Sequence, residues 1–170
     1  MLWPKAFTAA LLLAALLAVP ACQVRPLYST GTGGIAPQAD LPAISIAEPV
    51  NRVEQVYRNA LMFALRGGAD GETPRYDLIF RLTLREQEIA VERDSGTPNA
   101  YQLAGGVAFL LKDLASGASL FGANVNATSS YTRSSQNFAN IRARRDAEER
   151  LSETLAQLSQ ARLAAYFATR

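Results

Sequence analysis

The sequence predicts an α+β domain in which one sheet of about four mostly antiparallel strands carries two helices on one face, in the order β-α-β-β-β-α. Two patterns support this prediction. Apolar and polar residues alternate along residues 76–131, which is typical of half-exposed strands. Apolar residues recur at helical spacing in one segment before these strands and in one after them. Strands grouped between two helices favour helices on a single face of the sheet.

The first strand and the first helix are predicted between residues 41 and 68. Ile44 and Ile46 lie in a short strand, and the spacing to the next strand is compatible with both a parallel and an antiparallel partner. Asn51 and Glu54 have the spacing of a capping box at the start of a helix, which Gly67-Gly68 ends. The helix has an apolar stripe formed by Val53, Val56, Tyr57, Ala60, Leu61 and Ala64.

Three strands in a meander are predicted to follow. The first has one apolar face, formed by Tyr76, Leu78, Phe80, Leu82 and Leu84. The apolar positions then change parity at Ile89 and Val91, which predicts a bulge or twist around residues 86–88. Turns at residues 94–96 and 116–117 bound the second strand, whose apolar face is Tyr101, Leu103, Val107, Phe109 and Leu111. The third places polar residues on one side, namely Asn124, Asn126, Thr128 and Ser130.

A long C-terminal helix is predicted after a polar loop at residues 132–137. Leu151, Leu155 and Leu158 recur at helical spacing, and Glu148, Glu149 and Glu153 are expected on the surface. The predicted domain therefore covers residues 41–170.

Residues 1–21 have the layout of a signal peptide, with Lys5 near the start, an uncharged apolar stretch and the small residue Ala21 at the end. The apolar stretch is short for a permanent membrane-spanning helix. Val19-Pro20-Ala21-Cys22 resembles a bacterial lipobox, in which the cysteine receives a diacylglycerol before cleavage. Pro20 departs from the usual lipobox pattern, and an ordinary signal peptidase would also cut after Ala21.

Cys22, the only cysteine, is thus predicted to be the lipidation site, with the covalent lipid in place of any cofactor. Two or more acyl chains suffice for stable anchoring of a protein to a membrane. Gln23, rather than Asp, follows the cysteine, which by resemblance to bacterial lipoproteins predicts sorting to the outer membrane. Residues 22–40 are rich in Pro and Gly and are predicted to be a lipidated N-terminal tether.

Composition excludes several functions. The sequence has no histidine, which removes histidine-based catalysis and imidazole metal sites, so no metal site is predicted. Lys112 is the only lysine left after cleavage, and it is expected at a hairpin end as a solvated charge rather than in a Ser-Lys dyad. Removal of residues 1–21 takes away Lys5 and no acid, so 17 basic residues become 16 against 15 acidic ones. Near-zero net charge argues against nucleic-acid binding.

Arginines are the candidate functional residues. Arg93 is predicted at the tip of the long hairpin, and Arg142, Arg144 and Arg145 at the start of the last helix. A helix N-terminus is already locally positive, so cations there either remain solvated at a small cost or bind an anion together with the backbone amides.

The chain resembles the LPS-assembly lipoprotein family LptE. The resemblance is carried by Cys22 with Arg25-Pro26-Leu27-Tyr28, by residues 56–61 of the first helix, by the hairpin segments 91–94 and 100–102, and by the long terminal helix. It implies a non-enzymatic outer-membrane lipoprotein, anchored on the periplasmic side, that plugs and helps to assemble the LptD barrel at a one-to-one ratio and takes part in delivering lipopolysaccharide to the cell surface.

The resemblance also implies that basic residues contact lipopolysaccharide. Arg93 matches the family's hairpin residue, and Arg145 is the match near the start of the last helix, where Arg142 or Arg144 could replace it because no motif fixes the register. Guanidinium groups pair bidentately with the acidic groups of lipid A. Two alternatives remain, an auxiliary outer-membrane lipoprotein of another lipid transport system and a lipid-anchored hydrolase, which the missing histidine disfavours.

Overall fold

The computed structural model describes residues 40–68, 72–91 and 98–169. A single 3-10 turn, Leu41–Ala43, leads into β1 (Ile44–Ile46), and α1 (Arg52–Arg66) follows. The remaining elements are β2 (Tyr76–Val91), β3 (Pro98–Asp113), β4 (Ser119–Thr132) and α2 (Asn137–Ala168). The predicted order and the α+β class are confirmed. The predicted signal peptide and nearly all of the tether lie outside the described residues.

The four strands form one sheet in the order β1-β2-β3-β4. β1 is parallel to β2, from Ile44 opposite Tyr76 to Ile46 opposite Leu78, which decides between the two pairings that the sequence allowed. α1 serves as the crossover that a parallel pair requires. The other pairs are antiparallel, as expected for a meander.

The ends of α1 follow from local side-chain chemistry. Asn51 Oδ1 accepts a hydrogen bond from the Glu54 amide at 3.0 Å, and Glu54 Oε2 accepts one from the Val50 amide at 2.8 Å. This capping box therefore gives hydrogen-bond partners to two backbone amides that would otherwise be free at the helix start. Gly67 ends the helix with φ of 62°, and its amide donates to the Phe63 carbonyl at 2.8 Å.

One face of the sheet is covered by both helices and forms the core. The predicted apolar residues of β2 and β3 lie on this face, and Leu78, Leu103 and Leu111 are completely buried. Gly105 lies at the centre of β3, where a Cβ atom would come within 2.9 Å of Leu151 Cδ2. α2 therefore packs directly on the backbone of the central strand.

Two details differ from the predictions. The β2–β3 register runs unbroken to Glu88 opposite Tyr101 and shifts only between Glu88 and Val91, so the bulge lies later than the predicted residues 86–88. Glu86 still follows the regular alternation, since its side chain lies on the helix side of the sheet and contacts Arg144 of α2. Leu158 is 40% exposed and does not belong to the core. Its neighbour Ser159 faces α1 instead, and each residue turns the helix by about 100°, so Leu158 points outwards.

Candidate functional site

Two of the predicted site residues, Cys22 and Arg93, lie outside the described residues, so lipidation and the hairpin contact stay predictions. Arg142, Arg144 and Arg145 all lie on α2. They are close in sequence, but the structure gives them different surroundings, which separates their roles.

The arginines do not lie at the N-terminus of the helix. α2 begins at Asn137, one and a half turns before Arg142, and its N-cap residue Gln136 makes no side-chain capping bond. Asn140 instead bonds Ser134 in both directions, through its Oδ1 to the Ser134 amide and through its Nδ2 to the Ser134 carbonyl, each at 2.8 Å. The dipole effect is confined to the first turn. The expectation that the helix N-terminus helps these arginines to bind an anion is therefore wrong.

Arg144 is engaged in an ion-pair network. Its guanidinium lies 3.3 Å from Glu86 of β2 and 3.4 Å from Glu148 of α2. Arg52 of α1 contacts Glu148 at 3.2 Å, and Arg133 contacts Glu86 at 3.7 Å. Arg144 thus ties α2 to the sheet and shares its charge with two carboxylates, which makes it the least available of the three arginines for a ligand.

Arg133, which follows β4, is a residue that the sequence reasoning missed. Its Cζ atom lies 4.2 Å from the centroid of the Tyr101 ring, which stacks on Tyr131 with centroids 5.5 Å apart. The Tyr131 hydroxyl donates a hydrogen bond to the Glu86 carboxylate. The pKa of Tyr131 is raised, mainly because the hydroxyl is partly buried and to a smaller extent because of the neighbouring carboxylate. Arg133 was missed because its position beside the two tyrosines depends on the β3–β4 register, which places Tyr101 opposite Tyr131 and was unknown from the sequence.

Arg142 and Arg145 are exposed, and neither side chain makes an ion pair or hydrogen bond with another described residue. They share a helix face with Phe138, which is 80% exposed, and Ile141, which is 46% exposed. The spacing i, i+3, i+4 and i+7 places all four on one side. Ala143 and Ala147 turn towards the core on the opposite side. We call Phe138, Ile141, Arg142 and Arg145 the outward stripe.

The acidic neighbours of the outward stripe have other partners. Asp146 bonds Arg150, and Glu149 lies 3.9 Å from Arg52. Two unpaired guanidiniums next to two exposed apolar side chains suit a ligand that is both anionic and apolar. Sequence reasoning found the arginines but missed Phe138 and Ile141, although their spacing to Arg142 and Arg145 was visible.

Within the described ranges, Cys, Asp and Glu nowhere form a group of three that could hold a metal ion. No helix of these ranges is long and apolar enough to cross a membrane.

The fold matches solved structures of bacterial lipoproteins. A candidate lipoprotein from Caulobacter crescentus CB15 aligns with a TM-score of 0.66 at 23% identity, covering 79% of this chain and 97% of that chain. A minor lipoprotein from Acinetobacter baumannii aligns with a TM-score of 0.57 at 19% identity, covering 72% of this chain and 90% of that chain. An uncharacterized lipoprotein B from Nitrosomonas europaea aligns with a TM-score of 0.50 at 13% identity, covering 74% of this chain and 83% of that chain. At these identities the likeness concerns the fold alone. A search of the curated proteins gave no match.

The domain thus has the α+β fold that is seen in these bacterial lipoproteins. Residues 41–163, more than half of the chain, match the family LptE, Lipopolysaccharide-assembly. The chain belongs to this family, which confirms the resemblance seen in the sequence. Membership makes it a membrane-associated lipoprotein of lipopolysaccharide assembly, in a family that is not enzymatic.

Proposed function

We propose that this protein is the outer-membrane lipoprotein that plugs and helps to assemble the LptD barrel and that contacts lipopolysaccharide on its way to the cell surface. Cys22 would carry the lipid anchor, and the domain of residues 41–170 would occupy the barrel. The observation that carries the lipopolysaccharide contact is the outward stripe, where Arg142 and Arg145 lie unpaired beside Phe138 and Ile141.

The stripe fits an anionic amphiphile better than a simple anion. Arginine pairs bidentately with phosphate and carboxylate groups, and apolar side chains on the same face can contact acyl chains. Arg144 has a supporting role in this proposal, because its ion pairs with Glu86 and Glu148 hold the stripe's helix against the sheet. Arg93 of the hairpin remains a proposed second contact.

The barrel partnership is tested by affinity purification of the tagged mature protein from detergent-solubilised outer membranes, followed by mass spectrometry of the partner and of residue 22. We expect a large β-barrel at a one-to-one ratio and an acylated Cys22. Recovery of an inner-membrane transporter instead would contradict the plug role and would favour another lipid transport system.

The ligand contact is tested with the variant Arg142→Gln/Arg145→Gln. We expect the affinity for purified lipopolysaccharide to fall roughly tenfold, which corresponds to about 1.4 kcal/mol and is modest for two charge-assisted contacts. Phe138→Ser/Ile141→Ser should lower the affinity for lipopolysaccharide but leave binding of inorganic phosphate unchanged. Isothermal titration calorimetry measures both.

Arg162→Gln is the matched control, since Arg162 is also an exposed arginine of α2 but lies far along the helix from the stripe. It should bind as the unsubstituted protein does. Equal losses for the control and the stripe variant would show a general charge effect and would overturn the stripe as the contact.

A further inference from the structure

The sheet face opposite the helices forms a groove that no described element covers. Alternate residues of β3 provide its floor, which consists of the small residues Ala104, Gly106 and Ala108. The strand registers place β2 residues along one wall and β4 residues along the other, namely Arg81, Thr83 and Arg85 facing Asn124, Asn126 and Thr128. An open depression of about 760 Å³ lies over Gly106.

The glycine is what keeps the centre of this groove open. A Cβ atom on residue 106 would lie 2.8 Å from Asn126 Oδ1 and 3.3 Å from Thr83 Oγ1. The side chains of both walls therefore lean over the floor, and Thr83 Oγ1 donates to the Gly106 carbonyl at 3.3 Å. Any side chain at this position would occupy the space that the walls enclose.

The width and chemistry of the groove restrict its occupant. Neighbouring strands lie about 4.8 Å apart, so the two walls are roughly 10 Å apart across the β3 floor. A helix with its side chains has a diameter of about 10–12 Å and would not enter. Asn and Thr side chains offer both donors and acceptors along the walls, whereas the floor is small and apolar. The large apolar side chains of this face, Ile79 and Leu110, lie at one end of the groove, beyond Arg81 and Ala108. A narrow polar chain rich in hydroxyl groups fits this lining.

The charge of the groove is positive and uncompensated. Arg81 and Arg85 are exposed, and neither forms an ion pair with a described residue. They lie about 13 Å apart along β2. The nearest acid on this face is Asp77, below the groove, and it accepts a hydrogen bond from Ser45 at 2.8 Å. Glu86 points to the helix side, so its charge does not neutralise the groove.

We propose that this groove binds an acidic oligosaccharide, the anionic saccharide region of lipopolysaccharide. Arg81 and Arg85 pair with its phosphate or carboxylate groups, and Asn126 and Thr128 bond its hydroxyls. The inference rests on the proposed role in lipopolysaccharide delivery and assigns the saccharide to the sheet and the lipid-bearing part to the outward stripe. An acidic peptide is a poorer fit, because the stretch of the groove between Arg81 and Arg85 presents no large apolar side chain that could anchor peptide side chains.

The test measures binding of three probes to the full mature protein in detergent: lipid A, the oligosaccharide released from lipopolysaccharide by mild acid, and a polyglutamate peptide. We expect Arg81→Gln/Arg85→Gln to weaken oligosaccharide binding at least fivefold and to leave lipid A binding unchanged. Arg142→Gln/Arg145→Gln should do the reverse. Gly106→Val should also block the oligosaccharide, because it fills the floor without changing the charge.

The possible failures are distinguishable. If the unsubstituted protein binds lipid A through the stripe but does not bind the oligosaccharide, the groove inference is wrong and the proposed function stands. If it binds neither probe, the lipopolysaccharide contact itself is wrong. Oligosaccharide binding that is unaffected by Arg81→Gln/Arg85→Gln, or polyglutamate binding of equal strength, overturns the groove as a saccharide site. If Gly106→Val does not fold, the Arg81→Gln/Arg85→Gln variant alone decides whether the groove binds the oligosaccharide.

Discussion

The two faces of the four-stranded sheet are built largely from the same three strands, β2, β3 and β4, but have opposite properties. The face under the helices carries the buried apolar residues of the strands, whereas the open face is small, polar and basic along the groove and carries Ile79 and Leu110 beyond one end of it. Gly105 and Gly106 show the contrast between neighbours. The first allows Leu151 of α2 to touch the strand, and the second leaves space between Asn126 and Thr83. Because side chains alternate along a strand, stability and ligand binding are assigned to separate faces of one element.

The strongest way to break this division is to remove a buried side chain from the covered face. Leu155 of α2 is completely buried, so Leu155→Ala should lower the free energy of unfolding by about 3 kcal/mol through lost burial and a residual cavity. Leu158→Ala is the control and should cost less than about 1 kcal/mol, since Leu158 is 40% exposed. Urea unfolding followed by circular dichroism gives both values. Similar losses at the two sites would mean that the described core is wrong.

The two glycines sharpen the comparison within one strand. Gly105→Ala should destabilise the protein by about 1–3 kcal/mol, because the added methyl collides with Leu151 and α2 must shift. Gly106→Ala should be nearly neutral, because its nearest neighbour is the end of the Asn126 side chain, which can rotate, and replacing glycine in a strand gains about 0.5–1 kcal/mol. Thermal unfolding compares the pair. Equal effects would contradict the difference between the faces.

The smallest expected effect at neutral pH concerns the helix–helix contact above the covered face. The Tyr57 hydroxyl donates to Ser159 at 3.0 Å, so Tyr57→Phe should cost about 1 kcal/mol. Burial raises the pKa of Tyr57 to about 12, while the unfolded chain titrates near 10. The folded state therefore binds the Tyr57 proton more tightly than the unfolded chain does. The resulting contribution to the free energy of unfolding is fully present below pH 10 and is lost as the pH rises to 12.

The loss over this window should be about 2–3 kcal/mol for Tyr57. Free energies of unfolding measured between pH 8 and pH 12 should fall less steeply for Tyr57→Phe than for the unsubstituted protein. Tyr131 also has a raised pKa, so Tyr131→Phe serves as the comparison and separates the two contributions. An unchanged slope in Tyr57→Phe would show that its hydroxyl is not buried.

Much of the candidate site could be predicted from sequence, but the roles of its residues could not. The positions of Arg142, Arg144 and Arg145 on the last helix were correct, but these arginines lie beyond its first turn, to which the effect of the helix dipole is confined. Arg133 was missed because its partner Tyr101 lies 32 residues earlier and is reached only through the β3–β4 register. The open groove was visible only as a polar side of β4.

The sequence by itself determined the element order, the capping of α1 and the faces of the strands, because these depend on contacts within about four residues and on the fixed periods of helix and strand. The tertiary structure alone decided that β1 is parallel to β2, that Leu158 is exposed and that Arg144 is held by Glu86. It also left Arg142, Arg145, Arg81 and Arg85 without acidic partners among the described residues. These outcomes depend on residues that are distant in the chain, whose proximity is set by packing and not by local pattern.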